Sequence, residues 1–94
     1  MIEIDVEKKY CELAAAKYGL WPIKFKHVGI KGAPDRQVMC PNNHTFYIEF
    51  KIGKNSASEH QLKFARTLSK LGFRTYFCYT VKEAMDATAI EMEY

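Results

Sequence analysis

"GAPDRQVMCPNNHTFYIEFK" runs from Gly32 to Lys51, and its reading decides the fold. At its centre Pro41-Asn42-Asn43-His44 has the composition of a tight reversal. The flanking runs "RQVMC" and "TFYIEFK" are therefore the two arms of an antiparallel hairpin. In the second arm Phe46, Ile48 and Phe50 alternate with Tyr47, Glu49 and Lys51, which predicts one face in the core and one carrying charge. Asp35 sits where a Gly-Ala-Pro loop feeds the first arm, so the hairpin can bring it to the same side and end as Glu49. Lys51, two residues beyond Glu49, shares that face.

Working outward, Val6, Tyr10, Leu13, Ala14 and Lys17 recur at helical spacing, and Gly19 follows as a stop, predicting a helix over residues 5–18. Trp21-Pro22 reads as a break, "IKFKHV" (Ile23 to Val28) as a half-buried strand, and Gly29 to Pro34 as a loop. After the hairpin, "GKNSAS" is a loop and "EHQLKFARTLSKLG" a second helix, with Phe64, Ala65, Leu68 and Leu71 on its apolar stripe and Gly72 as its stop. The aromatic and β-branched "FRTYFCYT" predicts another strand. Thr80 and Glu83 have capping-box spacing and start a short third helix through about Thr88, after which Ile90, Met92 and Tyr94 alternate with Glu91 and Glu93 as an edge strand or loose end. The order α-β-β-β-α-β is that of an α/β fold, a small mixed β-sheet flanked by helices.

With 94 residues there is room for one compact core, so residues 1–94 are expected to form a single domain. Hydrophobic residues at 48% and charged residues at 27% exclude the apolar-poor composition of disorder. No stretch approaches the ~18 apolar residues of a membrane span, and the acidic, broken N-terminus is unlike a secretory signal. Cys11, Cys40 and Cys78 are an odd number far apart, which fits reduced thiols and a cytoplasmic setting. The net charge of +3 is unevenly spread: from Lys17 to Arg74 stand 11 Lys and Arg against only Asp35, Glu49 and Glu59. A basic middle of this kind suits a polyanion such as nucleic acid, or is simply a solvated lysine-rich surface.

Two carboxylates a few ångströms apart repel each other unless a cation lies between them. A hard divalent ion such as magnesium takes oxygen ligands, keeps several waters and is commonly held by one or two carboxylates plus a substrate phosphate. Asp35, Glu49 and a strand-end carbonyl would supply such a site, and a nearby lysine would stabilise charge developing on the phosphate. That chemistry is phosphodiester hydrolysis.

Pro34-Asp35 followed by Glu49-Phe50-Lys51 resembles the Pro-Asp/Glu-x-Lys signature of the restriction-endonuclease-like nucleases. Within that superfamily "KGAPDR", "EFK" and "QLKFARTLSKLGF" resemble the virus-type replication-repair nuclease domain, VRR-NUC, over about Val6 to Ala87. The resemblance implies a metal-dependent DNA endonuclease using Mg2+ or Mn2+ and leaving a 5′-phosphate. It implies Asp35 and Glu49 as metal ligands, the Phe50 carbonyl completing the shell, Lys51 as the catalytic lysine, Glu7 near the metal and Gln61 approaching the lysine. Gly29 and Gly32 match the glycines of the loop before the motif. Family members act on repair and recombination structures, so the implied substrate is branched DNA, a four-way (Holliday) junction above all; the small size and 14% aromatic residues suggest a homodimer, whose two-fold axis would match the junction's.

Plainer readings stand beside these. Glu49 and Lys51 fit the solvent face of a strand, and Asp35 after Pro34 fits a turn. Gln61 is also the N3 partner of Ser58 in a capping box, and Glu7 a first-turn acid favouring the helix dipole. Cys40 and His44 have a zinc-like Cys-x3-His spacing with no second pair of ligands near, while His27 and His60 read as a strand residue and a helix-start surface residue. Lys24, Lys26, Lys31, Arg36, Lys54, Lys63 and Arg66, with Gly29 and Gly32, are the candidate DNA contacts. The rival functions are a non-catalytic nucleic-acid-binding module, a nuclease acting on single-stranded or flap DNA, and an interaction domain without DNA affinity.

Overall fold

A computed structural model of the chain describes residues 3–26 and 29–94. Its elements are α1 (Glu3–Tyr18), β1 (Trp21–Lys24), β2 (Arg36–Met39), β3 (Thr45–Phe50), α2 (Glu59–Lys70), β4 (Thr75–Cys78) and α3 (Val81–Glu91). The sheet order is β1-β2-β3-β4, antiparallel except for the parallel pair β3 and β4, so the sheet is mixed as expected. Between β2 and β3 the His44 N–H donates to the Pro41 carbonyl, and Asn42 and Asn43 both take positive φ, 63° and 62°. That is the type I′ geometry whose twist matches a hairpin, and asparagine tolerates it better than most residues.

Helices cover both faces of the sheet. On one side α1 and α3 pack against Phe46, Ile48 and Phe50, which join Tyr10, Val38 and Cys78 in the buried core. Tyr10 sets its ring 5.8 Å from that of Phe50, while its hydroxyl bonds Thr88 Oγ1 at 2.7 Å and ties α1 to α3. Each such large apolar side chain contributes about 1.5–3 kcal/mol by leaving water. On the other side Phe25 bridges Tyr47 and Phe64, and Phe73 meets Tyr47 edge-on, which seats α2 over β3 and β4.

Four expectations are corrected. The plainer reading of Glu49 on a solvent face of β3 does not hold: Tyr47 and Glu49 are each only 6% exposed, because α2 and the rings of Phe25 and Phe73 lie over that face. Trp21-Pro22 is not a break but the start of β1; β1 is an edge strand, where a proline without an N–H is tolerated. Leu71 lies outside the packed stripe of α2, at its C-cap and 69% exposed, whereas Phe64, Ala65 and Leu68 are half-buried. The tail is helical to Glu91 rather than a strand or loose end, since Ala84, Ala87, Thr88 and Glu91 recur at helical spacing and are all buried. His27 and Val28, assigned to the first strand from sequence, lie outside the described residues.

Candidate functional site

The Arg36–Ile48 register places Asp35, one residue before β2, across from Glu49 near the end of β3. The Phe25 N–H donates to the Asp35 carbonyl at 3.1 Å, which extends the β1–β2 pairing to this point. The Asp35 carboxylate accepts the Phe50 N–H at 2.7 Å and so is anchored across the hairpin. Burial raises the Asp35 carboxyl above its ordinary value; the Phe50 hydrogen bond opposes this, the Glu7 carboxylate adds to it, and a hydrogen bond shared with the Glu49 carboxyl again opposes it. The two acids thus stand opposite each other across the hairpin, near enough to act on each other's charge.

Gln61 joins this pair to Lys51. Its Oε1 accepts from Lys51 Nζ at 2.5 Å and from the Ser58 N–H at 3.0 Å, while its Nε2 donates to Glu49 Oε2 at 2.5 Å. The Ser58 hydroxyl accepts the Gln61 N–H at 3.2 Å, completing the capping box. With two donors converging on Oε1, the amide can present only its NH2 to Glu49, so the helix cap fixes the orientation of the side chain. Gln61 thus closes the capping box and also bonds Lys51. Lys51 Nζ lies 3.6 Å from Glu49 Oε2, and its side chain is 11% exposed, in contrast to a freely solvated surface lysine.

The loop before Asp35 is fitted to α2 at Gly32, where φ is +94° and an added Cβ would lie 2.2 Å from the His60 carbonyl oxygen. Only glycine permits both that backbone conformation and that approach. The loop therefore rests its main chain on the first turn of α2, next to Gln61. Gly29 is exposed, with nothing within 4 Å of where its Cβ would stand.

Glu7 lies on the α1 side of the sheet, not among the α2-side contacts. It is buried and accepts from Arg36 Nε at 2.6 Å, with Lys24 Nζ at 3.5 Å, yet it is near enough for its charge to act on Asp35. Arg36, taken from sequence as a phosphate contact, is 17% exposed, and its remaining described bond goes to the Pro22 carbonyl. Lys24, Lys26, Lys31, Lys54, Lys63 and Arg66 are exposed. Away from this site, His44 Nε2 bonds Glu91 Oε1 at 2.7 Å and the Cys40 thiol reaches the Val38 carbonyl at 3.6 Å; His60 is exposed at the start of α2.

Among the described residues no group of three or more His, Cys, Asp or Glu side chains has the arrangement of a metal site. The donors that the register brings to this sheet end are instead two neighbouring carboxylates, Asp35 and Glu49. That set is too sparse and too hard for a closed zinc site, but it fits an ion that keeps most of its waters, as magnesium and manganese do. Sequence reasoning did not foresee the Phe50 N–H as an anchor for Asp35, because only the paired register reveals it.

No family model and no curated protein matches the chain. A solved structure described as a VRR-NUC domain does match, at 26% identity and a TM-score of 0.78, over 98% of this chain and 97% of that one. Over nearly its whole length, then, this chain is similar in fold to a VRR-NUC domain, in agreement with the resemblance carried by Pro34-Asp35 and Glu49-Phe50-Lys51.

Proposed function

We propose that the chain is a metal-dependent endodeoxyribonuclease that hydrolyses phosphodiester bonds in branched DNA, four-way junctions in particular. The observation carrying this reading is that Glu49 and Lys51 both bond the Gln61 amide while Asp35 stands opposite Glu49 at the same end of the sheet, in a chain similar to a VRR-NUC domain. Asp35 and Glu49 would hold Mg2+ or Mn2+, with the Phe50 carbonyl. When bound, such an ion lowers the pKa of a coordinated water and offsets charge on the phosphate.

The chain's own residues supply the rest. The Phe50 N–H holds the Asp35 carboxylate in place, leaving its other oxygen to a ligand. Lys51 has three N–H donors, of which Gln61 takes one, and its remaining donors can meet the non-bridging oxygens of a phosphate, where charge grows in the transition state. Gln61 is a positioning residue: it keeps the ammonium from collapsing fully onto Glu49. Glu7 is held by Arg36 and acts on the site through its charge.

Exposed Lys24, Lys26, Lys31, Lys54, Lys63 and Arg66 suit sequence-independent phosphate contact. With no helix set apart to enter a groove among the described residues, recognition rests on DNA shape. A homodimer is consistent with exposed apolar side chains such as Trp21 and Leu71, each 69% exposed. A panel of labelled four-way junction, flap, single-stranded and blunt duplex DNA, incubated with Mg2+, Mn2+ or EDTA, tests the proposal. Metal-dependent cuts concentrated at branch points support it; retention of DNA without any cut would reassign the chain as a binding module.

A further inference from the structure

A groove of about 670 Å³ opens between α2 and residues 29–31, next to Phe25. Phe25, Ile30, Phe64 and Leu68 form its apolar wall, and Lys31 and Lys63 stand with it. The rings of Phe25 and Phe64 meet edge-on, with centroids 6.1 Å apart, and Ile30 is 58% exposed. Both lysines are exposed. The groove also adjoins the candidate active site: His60 lines it, His60 is the neighbour of Gln61, and the Gly32 backbone closes on the His60 carbonyl.

We infer that this groove takes an unpaired nucleobase of the DNA strand being cut. The inference deepens the nuclease reading and rests on it. Aromatic and aliphatic walls offer a flat base the packing it loses on leaving its stack, but they offer nothing to a phosphate or a sugar. Lysines beside such walls meet the phosphates on either side of that base, the combination by which single strands are held. A paired base reaches such a groove only by leaving the duplex, which costs a few kcal/mol, whereas an unpaired base enters without that cost. The groove therefore biases the enzyme toward strands with an unpaired nucleotide beside the scissile phosphate, as in a flap, a gap or an opened branch point.

The test uses three probes of common sequence: a blunt duplex, the duplex with a single-stranded flap, and the same flap built of abasic units. Thr67→Trp fills the groove from the exposed surface of α2, where the Thr67 hydroxyl donates to the Lys63 carbonyl of its own helix. Ile30→Ala strips one wall without adding bulk. The parent protein should bind the flap about tenfold more tightly than the blunt duplex, in line with the stacking of one base. Abasic units and Thr67→Trp should each remove that preference, Ile30→Ala should reduce it, and affinity for blunt duplex should stay unchanged. Equal affinity of the parent protein for all three probes, or an undiminished preference in Thr67→Trp, overturns the inference. Conversion of a dimer to a monomer by Thr67→Trp in sedimentation also overturns it, by assigning the groove to a second copy. Preferential binding of the flap without cleavage in Mg2+ or Mn2+ supports the groove and removes the nuclease reading. Cleavage with no flap preference does the reverse.

Discussion

Replacing Gln61 separates what the α2 cap does for stability from what it does for chemistry. In Gln61→Ala the Ser58 N–H loses its acceptor, Lys51 loses the partner at 2.5 Å, and Glu49 loses the amide donor. The cap lies at the surface, so water replaces the lost partner of Ser58 and the stability cost is about 1 kcal/mol. For a chain of this size that lowers Tm by roughly 4–8 °C. The chemical cost is larger. Freed from Gln61, the ammonium can close the 3.6 Å gap to Glu49 Oε2, and a displacement near 1 Å in such a group costs up to roughly 100-fold in rate. Ser58→Ala is the control: it removes the hydroxyl that accepts the Gln61 N–H at 3.2 Å but leaves the side-chain amide bonded to Lys51 and Glu49. Single-turnover cleavage of a labelled branched substrate, read beside thermal melts, should give two variants of similar Tm and very different rate. Equal rates for the two variants, or a Gln61→Ala rate within threefold of the parent, would refute the positioning role.

Three further outcomes are expected. Lys51→Ala should abolish cleavage while leaving the melting curve nearly in place, because this side chain is at the site rather than in the core; an unchanged rate would remove its assigned role. Asp35→Asn should melt higher than the parent at pH 7 in EDTA. The Asp35 carboxyl is raised in the fold, so the folded state favours its protonated form and loses stability as pH rises through the region above its ordinary 3.8; asparagine removes that penalty and can still accept the Phe50 N–H, and a lower Tm would contradict this reading. Glu91→Gln should cost about 3 kcal/mol in urea denaturation. Burial works against the Glu91 carboxylate, but hydrogen bonds from Arg74, Tyr76 and His44 outweigh it and hold it below its ordinary 4.5, so its contribution is present above that value and lost as pH falls through the lower folded value. The stability gap between the parent and Glu91→Gln should therefore narrow in acid, and a gap independent of pH would argue against the network.

The hairpin was legible because its signals are local: two asparagines able to take positive φ, alternation in "TFYIEF", and acids at the two strand ends. Neighbours several residues away decided the rest. Pattern alone left Glu49 open between a metal ligand and a solvent-facing strand residue, and its burial follows from the docking of α2 through Phe25 and Phe64. The end of α3 was hidden because Thr88 and Glu91 are polar residues at buried positions, made tolerable by Tyr10, Arg74, Tyr76 and His44, all distant in sequence. Pro22 looked like a breaker until β1 proved to be an edge. In the site, the spacing of Ser58 and Gln61 made only the cap legible and the resemblance supplied the approach to the lysine, whereas the commitment of Arg36 to Glu7 depends on how α1 lies against the sheet.

The central claim is that Asp35 and Glu49 share one divalent ion. Titration of Mn2+ followed by electron paramagnetic resonance, with a single-stranded oligonucleotide present to supply phosphate, reads this directly without requiring turnover. The parent protein should bind the ion, and Asp35→Asn and Glu49→Gln should each weaken binding at least tenfold, the lower end of the loss seen on disturbing metal-site partners. No bound Mn2+ in the parent protein, or binding by either variant as tight as the parent's, would contradict the account.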